Sequence, residues 1–195
     1  ITGISTLSNG DILATTFGGV FYTFDPATGA ETSVATTNTL GNFTRDIAVK
    51  QDFFDGTDEI FANTTGELYR QTGGTASTIP QYNTIQDWSA GLTPSGSSFS
   101  VRAGVEYFPD EDAAIFANSE DHQVHVVDAA TSAVVQTLGS GTQGTAPGNF
   151  DQPSDAATFS KNGIDYLVIC NGANKVTIYQ KGIPTRIEEW MMLED

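Results

Sequence analysis

Short runs in which apolar and polar residues alternate, separated by Gly, Asn, Asp and Pro, are the pattern of half-buried strands joined by tight turns, and this chain consists of little else. Its most apolar run occurs four times. Ile12-Leu13-Ala14-Thr15, Ile60-Phe61-Ala62-Asn63, Ile115-Phe116-Ala117-Asn118 and Val168-Ile169-Cys170-Asn171 lie 48, 55 and 53 residues apart. Each is followed, after a polar turn, by a second β-prone run: Val20-Phe21-Tyr22-Thr23-Phe24, Leu68-Tyr69-Arg70-Gln71, Val124-His125-Val126-Val127 and Val176-Thr177-Ile178-Tyr179. Around the first copy, Ser8-Asn9-Gly10 and Gly18-Gly19 supply the positive φ that hairpin loops need. Asp25-Pro26-Ala27-Thr28-Gly29 presets a third turn ahead of an outer strand from Glu31 to Thr36. The first unit is therefore expected to be a four-stranded meander.

The second unit is expected to use Arg45 to Val49, Ile60 to Asn63, Glu67 to Gln71 and Thr75 to Ile79. The third uses Phe99 to Phe108, Ala113 to Asn118, His122 to Asp128 and Val134 to Leu138, and the fourth Asp155 to Ser160, Tyr166 to Asn171 and Lys175 to Gln180. Self-similarity at such a period, with strands only, is the signature of propeller blades. The expected fold is all-β: a β-propeller of four four-stranded antiparallel blades, or part of a larger propeller. It spans residues 1–184, with blades near 1–40, 41–82, 99–140 and 141–184. Residues 83–98 form a long connection around Trp88, and loops of that kind are commonly functional or mobile. Residues 185–195 form an amphipathic tail in which helical spacing puts Ile187, Trp190 and Met191 on one side, with Leu193 beyond them and Thr185 and Glu188 placed as a capping box. The competing reading makes Arg186 to Trp190 the last outer strand.

Charge narrows the partners. With 24 acidic against 8 basic residues, the net charge is −16 over 195 residues, and the acids are spread over every repeat. Such a field repels phosphate backbones and anionic lipid heads, so neither nucleic acid nor insertion into a membrane is expected. It favours cations and basic proteins, and an acidic, lysine-poor surface suits an extracellular or secreted setting. No run approaches the roughly 18 apolar residues of a membrane-spanning helix. The chain starts at Ile1 rather than Met, so either a leader has been removed or the chain is a piece of something longer. Its single cysteine, Cys170, has no partner for an internal disulfide and is expected in the core.

Candidate chemistry is sparse. Asp52, Asp55, Asp58 and Glu59 crowd around Gly56, and Asp110, Glu111 and Asp112 occupy the corresponding loop of the third unit. Calcium takes six to eight oxygens, so these loops are its candidates, although neither has EF-hand spacing; solvated hairpin tips are the plainer reading. Asn63, Asn118 and Asn171 close the second strand of three units, where Asn tolerates left-handed backbone; a ring of amides for a polar ligand is the alternative. His122 and His125, placed on one strand at odd spacing, are expected on opposite faces and unable to share a metal. No nucleophile-elbow, phosphate-loop, Cys-x-x-Cys or zinc-protease motif occurs. Asn42-Phe43-Thr44 and Asn63-Thr64-Thr65 fit the glycosylation sequon.

Two boundaries share letters: Gly41-Asn42-Phe43 before Asp46-Ile47-Ala48-Val49, and Gly148-Asn149-Phe150 before Pro153-Ser154-Asp155-Ala156-Ala157. The stretch from Gly144 to Tyr179 resembles an NHL repeat, and Tyr22 to Val34 and Val124 to Leu138 resemble the Asp-x-x-Thr-Gly turn of YVTN-type propeller repeats. The resemblance implies a propeller superfamily that holds both binding scaffolds and enzymes, so fold does not choose a function. With no reactive constellation, the expected role is a non-catalytic structural or protein-interaction module in an extracellular or higher-order assembly, self-associating or binding proteins through Trp88, Ile187, Trp190, Met191 and Leu193, and needing no cofactor. The rivals are a calcium-dependent propeller hydrolase or lactonase drawing on Glu31, Glu59, Glu67 or Asp155, and a lectin-like binder using Trp88 or Tyr107 as a sugar platform.

Overall fold

The computed structural model of the chain describes residues 1–35, 44–52, 58–64, 67–72, 84–87, 104–172, 175–181 and 190–192. Among these, sixteen strands form four four-stranded antiparallel sheets, each a meander whose strands follow one another in chain order. Sheet I holds β1 (Gly3–Thr6), β2 (Ile12–Thr15), β3 (Phe21–Phe24) and β4 (Glu31–Ala35). Sheet II holds β5 (Thr44–Lys50), β6 (Glu59–Thr64), β7 (Glu67–Thr72) and β8 (Thr84–Asp87). Sheet III holds β9 (Val105–Phe108), β10 (Ala113–Asn118), β11 (Gln123–Asp128) and β12 (Val134–Leu138), and sheet IV holds β13 (Asp155–Lys161), β14 (Ile164–Asn171), β15 (Lys175–Lys181) and β16 (Trp190–Met192).

Turn chemistry explains the meanders. Gly10 takes φ +90° in the β1–β2 turn, where Leu7 N–H donates to Asp11 O at 2.9 Å. The two Asp-x-x-Thr turns are built alike. Asp25 accepts from Ala27 N–H and the Thr28 hydroxyl, both at 2.8 Å, and Asp128 accepts from Thr131 N–H and its hydroxyl, both at 2.7 Å. Those bonds, the Ala27 N–H first, hold the Asp25 carboxyl below the ordinary carboxylate range.

Two strands differ from expectation. The outer strand of sheet II is β8, in register with Tyr69 to Thr72, inside the stretch expected to be a loop. Thr75 to Ile79 lies outside the described residues. Four residues with one apolar side chain carry too little periodicity to stand out from a connection. At the other end, Trp190 to Met192 pairs with Lys181 to Tyr179 as β16, so an outer strand is present but runs on from Trp190 rather than over the expected Arg186 to Trp190, of which residues 186–189 lie outside the described residues.

The chain divides into two compact units, Ile1–Thr93 and Pro94–Asp195. In the first, Leu7, Leu13 and Phe21 of sheet I and its turns form one buried cluster with Ile47, Val49, Ile60 and Ala62 of sheet II. In the second, Phe108, Ile115, Ala117, Val124, Val126 and Leu138 of sheet III cluster with Ala156, Leu167, Ile169 and Tyr179 of sheet IV and with Phe150 from their connection. The face that sheets I and III turn toward the next sheet of their unit is called here the forward face; the face that II and IV turn back is the rear face. Strand alternation then assigns the remaining positions.

This exposes a one-residue offset between identical letters. In Ile60-Phe61-Ala62-Asn63, Ile60 and Ala62 lie on a rear face, whereas in Ile115-Phe116-Ala117-Asn118, Ile115 and Ala117 lie on a forward face. Pairing agrees: Gly3 opposes Thr15, Asp46 opposes Asn63, Asp155 opposes Cys170, and Ala117 N–H donates to Gly104 O at 3.0 Å. Equivalent positions therefore start at Ile12, Ile60, Ala114 and Leu167. Phe61 and Phe116 are as fully buried as their neighbours, so both strands are apolar on both faces and the letters cannot fix the face.

The same junction recurs in both units. A Cβ on Gly3 would stand 2.8 Å from Ile47 N and 2.9 Å from Asp46 Cα, and one on Gly104 would stand 2.7 Å from Asp155 Cα. Real Cβ contacts essentially never fall that short. Within each unit the first strands of the two sheets thus approach through a glycine on one and an aspartate on the other.

Candidate functional site

The acidic loops are placed residue by residue. Asp58 is fully buried: one carboxylate oxygen accepts from Ser8 N–H of sheet I at 2.9 Å, the other from Asp52 N–H at 3.0 Å. It joins the β1–β2 turn to the start of β6. Glu59 holds a two-pronged ion pair with Arg70, at 2.6 and 3.0 Å. Asp55 lies outside the described residues. In the third unit, Pro109–Glu111 forms one turn of 3-10 helix closed by Asp112 at φ 48°. Asp110 is exposed, Glu111 pairs with Lys181, and Asp112 accepts from the Tyr107 hydroxyl at 2.9 Å. That last bond also ties down the phenol of Tyr107. No group of three His, Cys, Asp or Glu among the described residues is gathered to hold a metal ion.

Asn118 and Asn171 are both buried but serve different neighbours. Asn118 bonds within its own turn, donating to the Asp121 carboxylate at 2.9 Å and accepting from Asp121 N–H at 3.3 Å. Asn171 accepts from Asp151 N–H at 2.6 Å and so anchors the β12–β13 connection. The side chain of Asn63 is not described, and Asn42 lies outside the described residues. Trp88, Ile187 and Leu193 also lie outside them.

The histidines do not share a strand as expected. His122 adopts φ 54° in the β10–β11 turn, ahead of Gln123, and its Nδ1 accepts from Gln152 N–H at 3.3 Å. A tight turn at the Asp121-His122 step removes it from the alternation. His125 is buried on β11, 3.1 Å from the Thr137 hydroxyl through Nδ1 and stacked on Phe116 with ring centroids 6.4 Å apart. Burial pushes its imidazole below the ordinary value, with the Asp121 carboxylate acting in the opposite sense. His125 stays neutral in the fold and gains a proton in the unfolded chain as pH falls through about 6.5. Its contribution to stability is full above that pH and declines as pH falls toward the lower folded value. Thermal melts from about pH 7 to about pH 5 should show a fall in Tm that is smaller in His125→Gln, and equal slopes would contradict this.

Asp155 begins the innermost strand of sheet IV beside Gly104. The residue as a whole is exposed, but its carboxylate lies against the Gly104 backbone, and this local desolvation raises the carboxyl above the ordinary range, partly offset by the Ala156 N–H it accepts at 2.8 Å. Phe150, fully buried, closes the connection before it. There Ser140 donates to Asn149 at 2.6 Å, Gln143 to Asp151 at 2.6 Å, and Lys175 to Thr145 O at 3.3 Å.

No protein-family model matches the chain, and no curated protein matches it in sequence. Solved structures do. The Cps50 (Swd1) β-propeller domain of Myceliophteria thermophila superposes with TM-score 0.58 at 10% identity, over 98% of this chain and 57% of that one. Hydrazine synthase of Kuenenia stuttgartiensis gives TM-score 0.58 at 14% identity, over 98% of this chain and 49% of that one. The chain has the β-propeller fold. Each four-stranded sheet is a blade, and the chain spans about half the length of these two structures. The computationally designed Ika4 protein also matches, with TM-score 0.51 at 12% identity over 93% of this chain and 91% of that one.

In blade IV the forward face is apolar and partly exposed. It carries Phe159, stacked on Tyr166 with centroids 4.9 Å apart, then Val168, Cys170, Val176 and Ile178. Val176 is 61% exposed. Cys170, expected in the core, is exposed on this face because it alternates with the buried Ile169 and Asn171. No helix of the described residues is long and apolar enough to cross a membrane.

Proposed function

We propose that the protein is a non-catalytic interaction module, a propeller that joins an extracellular or higher-order assembly through exposed apolar surface. The observation that carries this reading is a division of labour among side chains. Asp58, Glu59, Asp112, Asn118 and Asn171 bond inward to turns, backbone or neighbouring strands. The exposed faces instead present Phe159, Val176 and Ile178 on blade IV and Val134 and Val135 on β12. Contiguous exposed apolar surface is the mark of a contact site. The net charge of −16 and the scarcity of lysine favour basic partners and an extracellular setting. Burial of Phe150 and Pro153 ahead of β13 fits the NHL-like reading of blade IV.

Among the described residues the rival hydrolase is favoured by Asp155, whose carboxyl local desolvation shifts upward, a shift that suits a general acid rather than a calcium ligand. Calcium bound at a hundredfold excess over its Kd would add about 2.7 kcal/mol and raise Tm by several degrees. Calorimetry in calcium and in EDTA is expected to give the same Tm, and chromogenic esters and lactones are expected to stay intact. A calcium-dependent rise of several degrees, or turnover, would overturn the non-catalytic reading.

A further inference from the structure

We infer that the forward face of blade IV is a docking surface for a second copy of this chain, which seats the rear face of its blade I there, head to tail. The inference rests on the interaction-module reading and specifies its partner. Register makes blades III and IV comparable position by position: Phe108, Ile115, Ala117, Val124 and Val126 correspond to Phe159, Val168, Cys170, Val176 and Ile178. In blade III these five are 5% exposed or less, because blade IV packs on them. In blade IV, Phe159, Val176 and Ile178 are 45%, 61% and 38% exposed. The face is apolar like one that receives a blade, and these three side chains are exposed on it.

The complementary surface is on the same chain. The rear face of blade IV, which packs on blade III, presents Ala156, Leu167, Ile169 and Tyr179. The corresponding rear positions of blade I are Ile4, Ile12, Ala14 and Phe24, joined by Tyr22, which stacks on Phe24. Ile4 is 63% exposed, while Ile12, Tyr22 and Phe24 are partly exposed. The carboxylates that share these faces, Asp155 opposite Cys170 on the first strand of blade IV and Glu31 opposite Phe24 on the last strand of blade I, fall at opposite edges and so do not meet. The natural propellers matched above run to about twice this chain's length, and a second copy adds the same number of blades again. A forward-to-rear contact is heterologous: it closes into a ring if the rotation allows and otherwise continues as an open array.

The lone cysteine supplies the test. Ala117 and Ala156 belong to one buried cluster across the β10–β13 junction, and their counterparts are Cys170 and Ile4, so these two should meet across the interface. Light scattering should show a mass that rises with concentration above one chain. Mild oxidation of Ile4→Cys should give covalent rings or ladders that the unsubstituted chain does not give and that Ile4→Cys with Cys170→Ser loses. Val176→Glu with Ile178→Glu, both at exposed positions, should keep the strand circular dichroism and return the mass to one chain. A one-chain mass at every concentration, or cross-linking confined to Cys170–Cys170 dimers, would overturn the inference. Association that survives the double glutamate variant would overturn this interface while leaving the interaction-module reading in place.

Discussion

Phe150→Ala should cost the second unit about 3–5 kcal/mol, a large share of the roughly 5–15 kcal/mol that holds a typical domain together. The ring is fully buried, lies 6.3 Å from that of Tyr179, and belongs to the cluster joining blades III and IV. The connection that delivers it is fixed by Gly144 N–H donating to Phe150 O at 3.1 Å. On the other side, Gly139 holds φ +92° where a Cβ would stand 2.6 Å from the ring. Urea denaturation is the measurement. Phe150→Leu should recover most of the loss, and a cost below about 1 kcal/mol for the alanine variant would mean the ring is not a core residue.

Asp58→Ala should destabilise the first unit by about 2–4 kcal/mol, because two backbone N–H groups lose a charged acceptor at a buried position. The donors come from different blades, Ser8 and Asp52, so the carboxylate acts as a strut rather than a local cap. Asp58→Asn should fall between the two, since one amide oxygen serves one donor and turns an NH2 toward the other. Urea unfolding of the three proteins would read this order directly. Equal stabilities would remove the strut.

Much of the architecture is legible from letters alone, because hairpin turns have strict chemistry. The Asn9-Gly10 and Asp-x-x-Thr turns lie where their residues place them. What the letters hide is direction. A period of two makes any offset of one residue a change of face, and Ile60-Phe61-Ala62-Asn63 and Ile115-Phe116-Ala117-Asn118 match perfectly while facing opposite ways. Its place between Ile169 and Asn171 in a strand pattern puts Cys170 inside, where the structure has it exposed. Partners distant in sequence are hidden for a different reason. Asp58 stands among acids that look like a solvated tip, and nothing short-range says that Ser8, fifty residues earlier, supplies a donor. Signals that could have found these features were the unbroken apolar run in β10, typical of a strand covered on both sides, and the correspondence of position between Gly3 and Gly104 and between Asp46 and Asp155.

That last correspondence bears on how such a chain can be cut and recombined. Since a glycine meets an aspartate where the first strands of the two blades of each unit cross, odd and even blades are not interchangeable parts. Grafting the third blade in place of the first keeps a bare backbone opposite Asp46, whereas duplicating the second in that position would force carboxylate against carboxylate in a gap that holds only one. The exchangeable cassette is the doublet.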